Sequence, residues 1–206
     1  MSPNNVMLTM EQANEQLHSI LAPSHLLSDK ECRKVIARYT AATARKFQCW
    51  LGATLIASSS ELGRSVTEAN LRSEIQENHC HMLQRFAASA GAEPDSTDHR
   101  SVARAVETID TLVSDLSGVQ CIALMALLEA DIFIYPYLAS LATKVGSSDL
   151  EYTEVHLAED PHHAAQFKEA LLEEIKIDNS EVEQKIDSVV RVVTDLYQTI
   201  FHTPAN

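Results

Sequence analysis

One segment of the sequence combines histidines and a carboxylate at spacings that suit a metal site. His156, Asp160 and His163 are spaced i, i+4 and i+7. In a helix these positions fall on one stripe, so two imidazoles and one carboxylate would project together. Two histidines with one carboxylate suit Fe(II) with open coordination positions, and Mn and Zn accept the same mixture of donors. The alternative interpretation is a solvated polar face.

A second pair of candidate ligands is Glu74 and His81. Residues seven apart nearly superimpose on one helical face, so these two side chains should project together while His79 points away. Glu77 lies beside Glu74 in this register and is considered as an additional or substitute ligand. A helix hydrogen bond or a solvated face is the simpler interpretation of such a pair.

Glu129 is an acid inside a mainly apolar stretch, residues 126–134. Such a carboxylate must be protonated, paired or bound to a metal, because burying a bare charge is very costly. A salt bridge to a Lys or Arg of a neighbouring helix is the alternative. Together, the three segments supply three carboxylates and three imidazoles, a set that fits two metal ions with positions left open.

The rest of the sequence predicts helices that position these residues. The chain has only 5 Gly and 6 Pro in 206 residues and lacks strongly alternating strand patterns, which favours one all-α domain spanning residues 1–206. Seven helices are predicted, with the ligands on the third, fifth and sixth: about 9–21, 28–58, 65–90, a fourth that follows the loop at 94–98 and runs to about 117, then 118–145 with a kink near Pro136, 149–174 and 180–201.

Pro161 lies within the first ligand segment. A proline inside a helix removes a backbone donor and clashes with the preceding turn. Asp160 could therefore be the N-cap of a new helix with Pro161 as its first residue. In that case His156 would leave the stripe shared by Asp160 and His163.

The charge of the chain excludes some classes of binding partner, and its cysteine content indicates where the protein is located. The chain carries 16 Lys and Arg against 29 Asp and Glu, a formal net charge of −13 that would repel nucleic acid and anionic lipid. Residues 121–141 are nearly long enough to span a membrane, but central acids argue against that. The first ten residues do not resemble a signal peptide. We expect a cytoplasmic protein without disulfides, whose four cysteines are small core residues: Cys32, Cys49, Cys80 and Cys121.

Over residues 70–167 the sequence resembles the heme-oxygenase-like diiron oxidases. Asn70-Leu71-x-x-Glu74, followed by His81 and residues 86–91, is similar to the first ligand helix of that family. Glu129 is similar to its central glutamate, and residues 154–163 to its most diagnostic element. The resemblance implies a seven-helix, heme-oxygenase-like bundle shared with thiaminase-like and pyrroloquinoline-quinone-synthase-like proteins. It also implies six iron ligands: Glu74, His81, Glu129, His156, Asp160 and His163.

The resemblance further implies an O2-activating non-heme diiron enzyme. Two iron ions would bind O2, the co-substrate, as a peroxo species that oxidises a small molecule. An amino acid or amine of specialised metabolism is expected, with N-oxygenation or oxidative C–C cleavage as the outcome. The alternatives are a thiaminase-like or cofactorless enzyme on the same fold, or a non-enzymatic interaction protein. A homodimer is considered. Six residues are candidates for the substrate cavity: Tyr39, Tyr135, Tyr137, Lys46, Lys144 and Arg191.

Overall fold

The structure, a computed structural model, describes residues 2–202, which form helices and no strands. A short 3-10 turn at Ser24–Leu26 follows the first helix. The α-helices in chain order are α1 (Pro3–Ile20), α2 (Asp29–Thr43), α3 (Lys46–Ala57), α4 (Glu61–Gln76), α5 (His79–Ser89), α6 (Ser96–Ser114), α7 (Gly118–Ala130), α8 (Ile134–Lys144), α9 (Glu151–Ile177) and α10 (Val182–Phe201).

The all-α prediction is confirmed, but the number of helices is not seven. Within residues 2–202 there are ten α-helices, because three of the predicted helices are each divided in two. The predicted helix 28–58 is α2 and α3, with the break after Ala44. The predicted helix 65–90 is α4 and α5, and the predicted helix 118–145 is α7 and α8.

Two predicted helix boundaries follow from local hydrogen bonding and backbone freedom. Ser28 caps α2 and forms a capping box with Glu31, which satisfies backbone donors at the start of the helix. Gly91 follows the end of α5 with a φ of 60°, a conformation that costs glycine little and stops a helix.

The break between α4 and α5 was not predicted. Asn78 lies between these helices with φ 57° and ψ 45°, in the left-handed region. Asn tolerates this region better than most residues because its short polar side chain can form hydrogen bonds with the nearby backbone. A single left-handed residue redirects the chain, so α5 starts with a new helical phase at His79.

The predicted kink in the fifth helix lies before the proline rather than at it. The chain leaves α7 at Asp131, and α8 begins at Ile134 with a bend of 48° between the two helices. Pro136 is the third residue of α8, where a backbone N–H has no helical acceptor in any case. The bend therefore frees the proline from the helix interior, where it would cost stability.

Helix α9 runs without interruption from Glu151 to Ile177 and includes Pro161. The alternative in which Asp160 starts a new helix is therefore wrong, and His156, Asp160 and His163 share one helix. Helix α7, almost wholly buried, lies in the centre of the bundle and packs chiefly against α9 and α10.

The described residues contain no single helix that is long and apolar enough to cross a membrane. Helices α7 and α8 together, as a pair bent by 48°, have the length and the apolar composition of a membrane span.

Candidate metal centre

Three side chains from three helices form a first cluster, which we call the Glu74 cluster: Glu74, His79 and His156. Oε1 of Glu74 lies 2.9 Å from Nδ1 of His79 and 3.7 Å from Nε2 of His156. Glu74 is on the last turn of α4, His79 begins α5, and His156 is on α9. All three residues are buried, and one donor atom from each lies within 4.8 Å of the others. This spacing is suitable for a single metal ion.

A second cluster, the Glu129 cluster, consists of Glu129, Asp160 and His163. Nδ1 of His163 lies 3.6 Å from Oε2 of Glu129 and 3.8 Å from Oδ1 of Asp160. Glu129 comes from α7, and the other two residues come from α9, one turn beyond His156. The three donor atoms again lie within 4.8 Å of one another. Helix α9 therefore contributes to both clusters from a single face.

Neighbouring side chains fix the carboxylates of the Glu129 cluster. Nδ2 of Asn70 donates a hydrogen bond of 2.9 Å to Oε1 of Glu129, and the hydroxyl of Tyr135 donates to Oδ2 of Asp160. Each carboxylate thus keeps one oxygen on its hydrogen-bond donor and turns the other toward His163. Outer partners of this kind orient metal ligands.

The carboxylates of the two clusters have no Lys or Arg partner among the described residues. Their only ion-pair partners there are histidines, so imidazolium ions serve as the counter-charges. This excludes, within residues 2–202, the salt bridge to Lys or Arg considered for Glu129. Three buried carboxylates whose only counter-charges are titratable imidazoles are the arrangement expected where a metal cation can take the place of the imidazole protons.

The pKa values reflect this pairing of buried acids with histidines. Burial opposes ionisation of Glu74, but His156 and His79 outweigh it and lower its pKa to about 2. Burial also disfavours a charged His79, yet Glu74 raises its pKa to about 9. Asp160 and Glu129 raise the pKa of His163 to about 10. Burial, with the nearby charge of Asp160, raises the pKa of Glu129 to about 7.

The structure brings five of the six residues predicted as ligands into the two clusters, and His79 lies where His81 was expected. The prediction that Glu74 and His81 project together while His79 points away is wrong in its geometry. His81 is exposed, whereas His79 is buried against Glu74. The prediction assumed one continuous helical phase across residues 74–81, and the left-handed Asn78 resets that phase. An Asn between two candidate ligands was the one available signal of the break.

A cavity of about 60 Å3 borders both clusters. All the clustered side chains except that of His163 line it, and the rest of its wall is mainly apolar and aromatic. Burial raises the pKa of the four tyrosines in this wall, so each keeps its hydroxyl proton. No Lys or Arg from the described part of the chain lines the cavity, and its four lining tyrosines are Tyr39, Tyr135, Tyr152 and Tyr197.

Two of the six predicted cavity residues, Tyr39 and Tyr135, do line the cavity. Lys46 instead forms a 2.6 Å ion pair with Asp110. The amine of Lys144 donates to backbone carbonyls of residues 24–27. Tyr137 and Arg191 are not among the lining residues.

The cysteines divide into two groups. Cys32 and Cys121 are buried core residues as predicted, but Cys49 is exposed and Cys80 is half-buried at the cavity wall. Burial raises the pKa of the Cys80 thiol. A nucleophilic cysteine requires a lowered pKa, so this residue does not have the environment of the thiaminase-like alternative.

The donor set fits iron. Carboxylate and imidazole ligands suit Fe(II), and two adjacent buried groups of three donors leave coordination positions open in each. Glu74, His79 and His156 would hold one ion, and Glu129, Asp160 and His163 would hold the other.

Comparison with known proteins agrees with this chemistry. A family model described as an iron-containing redox enzyme matches residues 35–198, most of the chain. The chain therefore belongs to this family of iron-containing redox enzymes, which has the heme-oxygenase-like fold suspected from the sequence. The match includes every residue of both clusters. Neither curated proteins nor solved structures gave a match.

Proposed function

We propose that this iron-containing redox enzyme is a non-heme diiron oxidase that activates O2 and oxidises a small molecule. The observation that carries the proposal is the pair of adjacent buried clusters, each with three donor atoms within 4.8 Å. One cluster alone would suit a mononuclear site. Two clusters joined by the same face of α9 suit a dinuclear one.

Iron bound by these ligands would supply electrons and open positions for O2. The protein's own contribution is orientation of the ligands. Asn70 and Tyr135 hold the carboxylates of Glu129 and Asp160, and aromatic side chains form much of the cavity wall. The hydroxyls of Tyr39 and Tyr152, 2.8 Å apart, hydrogen-bond to each other beside this wall.

The cavity lining favours one of the two expected substrate classes. The described residues place no Lys or Arg in the wall, and its histidines, His79 and His156, already pair with Glu74, so a substrate carboxylate would find no unpaired cationic side chain there. A small amine needs none and can donate to carboxylate or tyrosine oxygens. We therefore favour an amine over an amino acid with a free carboxylate.

The test of the proposed function is O2 consumption after anaerobic loading. Protein loaded with Fe(II) should consume O2 in proportion to its bound iron and develop ferric absorption. The same protein loaded with Zn(II), which has no redox chemistry, should consume none. Iron-loaded protein that consumes no more O2 than an equal amount of free Fe(II) would contradict the proposal.

A further inference from the structure

The imidazole of His79 lies between two groups of acidic side chains. Its Nδ1 is 2.9 Å from Oε1 of Glu74, inside the Glu74 cluster. Its Nε2 is 3.4 Å from Oε2 of Glu77, on the opposite edge of the ring. Glu159 completes the second group, since donor atoms of Glu77, His79 and Glu159 lie within 4.8 Å of one another.

The two groups differ in their access to solvent. Glu74 and His156 are buried, whereas the side chain of Glu77 is 48% exposed and Glu159 is half-buried. Glu77 is the last residue before the left-handed Asn78 and lies at the Nε2 edge of the His79 ring. The second group therefore lies between solvent and the Glu74 cluster, with His79 common to both.

An ion that binds His79 displaces one proton from the imidazolium to solvent, and the neutral imidazole that remains can hold an ion in only one of the two groups at a time. A neutral imidazole has one protonated nitrogen and one free to ligate. An ion bound through Nε2 requires the ring proton on Nδ1, and an ion bound through Nδ1 requires it on Nε2. Occupation of one group thus removes the histidine ligand from the other.

We propose that Glu77, Glu159 and Nε2 of His79 form an outer divalent-cation site that captures Fe(II) and passes it to the Glu74 cluster. The inference rests on the proposed function, because it needs an inner iron site to fill. Iron remains Fe(II) during the transfer. The ion exchanges Nε2 and two outer carboxylates for Nδ1, Glu74 and His156, and the ring proton moves from Nδ1 to Nε2. The new N–H then faces Glu77.

The test compares the rate of iron uptake with the final iron content. Wild-type protein and two variants, Glu77→Gln and Glu159→Gln, are mixed with Fe(II) anaerobically, and unbound iron is trapped with a colorimetric chelator at successive times. Glu169→Gln is the matched control: it changes an exposed acid of the same helix to the same amide, away from both clusters. Circular dichroism checks the helix content of each variant.

Wild type and Glu169→Gln should load at the same rate, and Glu77→Gln and Glu159→Gln should load on the order of tenfold more slowly, because a focused negative charge raises the encounter rate of a cation. All four proteins should reach the same final iron content.

Equal rates of iron uptake in all four proteins would overturn the outer site while leaving the proposed function intact. Slow variants that also retain less iron at equilibrium would make Glu77 and Glu159 permanent ligands or supports, which also overturns a capture role. Wild-type protein that binds no iron would instead overturn the proposed function.

Discussion

Nδ1 of His79 lies 2.9 Å from Oε1 of Glu74, although only four residues separate these two side chains along the chain. In an uninterrupted helix, residues five apart project about 140° from each other. The contact exists because α4 ends at Gln76 and α5 begins at His79, with the left-handed Asn78 between them. The Glu74 cluster therefore depends on a local backbone feature as well as on its ligands.

We expect His79→Ala to lose the iron of the Glu74 cluster and His81→Ala to retain it. His79 is buried against Glu74, whereas His81 is exposed and contributes to neither cluster. Iron content after anaerobic reconstitution and desalting is the measurement. His79→Ala should retain about half the wild-type iron, since the Glu74 cluster loses one of its two imidazoles and keeps only two donors. Loss of iron from His81→Ala with full retention by His79→Ala would contradict the structure at this site.

We expect stability and iron binding to require a residue at position 78 that tolerates the left-handed conformation. Ala in the left-handed region costs roughly 1–2 kcal/mol, while Gly adopts it freely. Asn78→Ala should therefore lower the free energy of unfolding by about 1 kcal/mol and weaken iron binding, and Asn78→Gly should do neither. Urea unfolding and iron titration of the two variants provide the comparison. Equal stability and equal iron binding of Asn78→Ala and Asn78→Gly would show that the break between α4 and α5 does not depend on this residue.

Glu129 should act as a metal ligand rather than as a partner in packing. Its neighbours are His163 and Asn70, so a change to Gln keeps an acceptor for Asn70 and removes only the anionic donor. Glu129→Gln should remain close to wild type in thermal stability while losing iron from the Glu129 cluster. Glu129→Ala should in addition cost about 1–3 kcal/mol, because the buried Asn70 amide loses its partner. A Glu129→Gln variant with full iron content would refute the ligand role.

A buried glutamate outside the site, Glu174 of α9, ties this helix to the start of α4. Oε1 of Glu174 accepts hydrogen bonds of 2.7 Å from the backbone N–H and from the hydroxyl of Ser60, and 3.0 Å from the N–H of Ser59. Gly118, the first residue of α7, lies so close to the same carboxylate that a Cβ atom would clash. Glu174 thus fixes the relative positions of the three helices that carry most of the ligands.

We expect Glu174→Ala to lower the free energy of unfolding by about 2–3 kcal/mol, since it strands buried backbone donors. Glu173→Ala, at a half-buried neighbouring position paired with Lys176, should cost less than about 1 kcal/mol. Gly118→Ala should also be destabilising, because its new methyl group would meet Glu174 and the carbonyl of Ala57 at 3.0 Å. Chemical denaturation of the three variants tests this. Equal stability of Glu174→Ala and Glu173→Ala would show that Glu174 does not hold the three helices in place.

The sequence predicted the helical class and most of the candidate site because both depend on regular spacing. His156, Asp160 and His163 lie on one stripe of α9 as their i, i+4, i+7 pattern requires, and Glu129 is a lone acid in an apolar helix. These features follow from helical geometry within one element. No pattern within one element could pair Glu129 with His163 or Glu74 with His156, because such contacts depend on how α4, α7 and α9 pack.

Helix breaks were the part that spacing could not predict. The spacing of residues did not indicate the break at Asn78, and the kink predicted near Pro136 lies earlier, at Asp131. Conversely, Pro161 favoured a helix break at this position, because proline destabilises a helix interior. In the structure, α9 continues through Pro161 without a break. The choice between His79 and His81 depended on one such break. A single residue in the left-handed region therefore decided which imidazole faces Glu74.

Mössbauer spectroscopy of protein loaded anaerobically with isotopically enriched Fe(II), before and after exposure to O2, tests the central claim of a dinuclear centre most directly. The structure predicts about two irons per chain, one for each cluster, that become a single exchange-coupled ferric pair after O2 is admitted. A content of about one iron per chain, or ferric ions that remain magnetically independent, would contradict it.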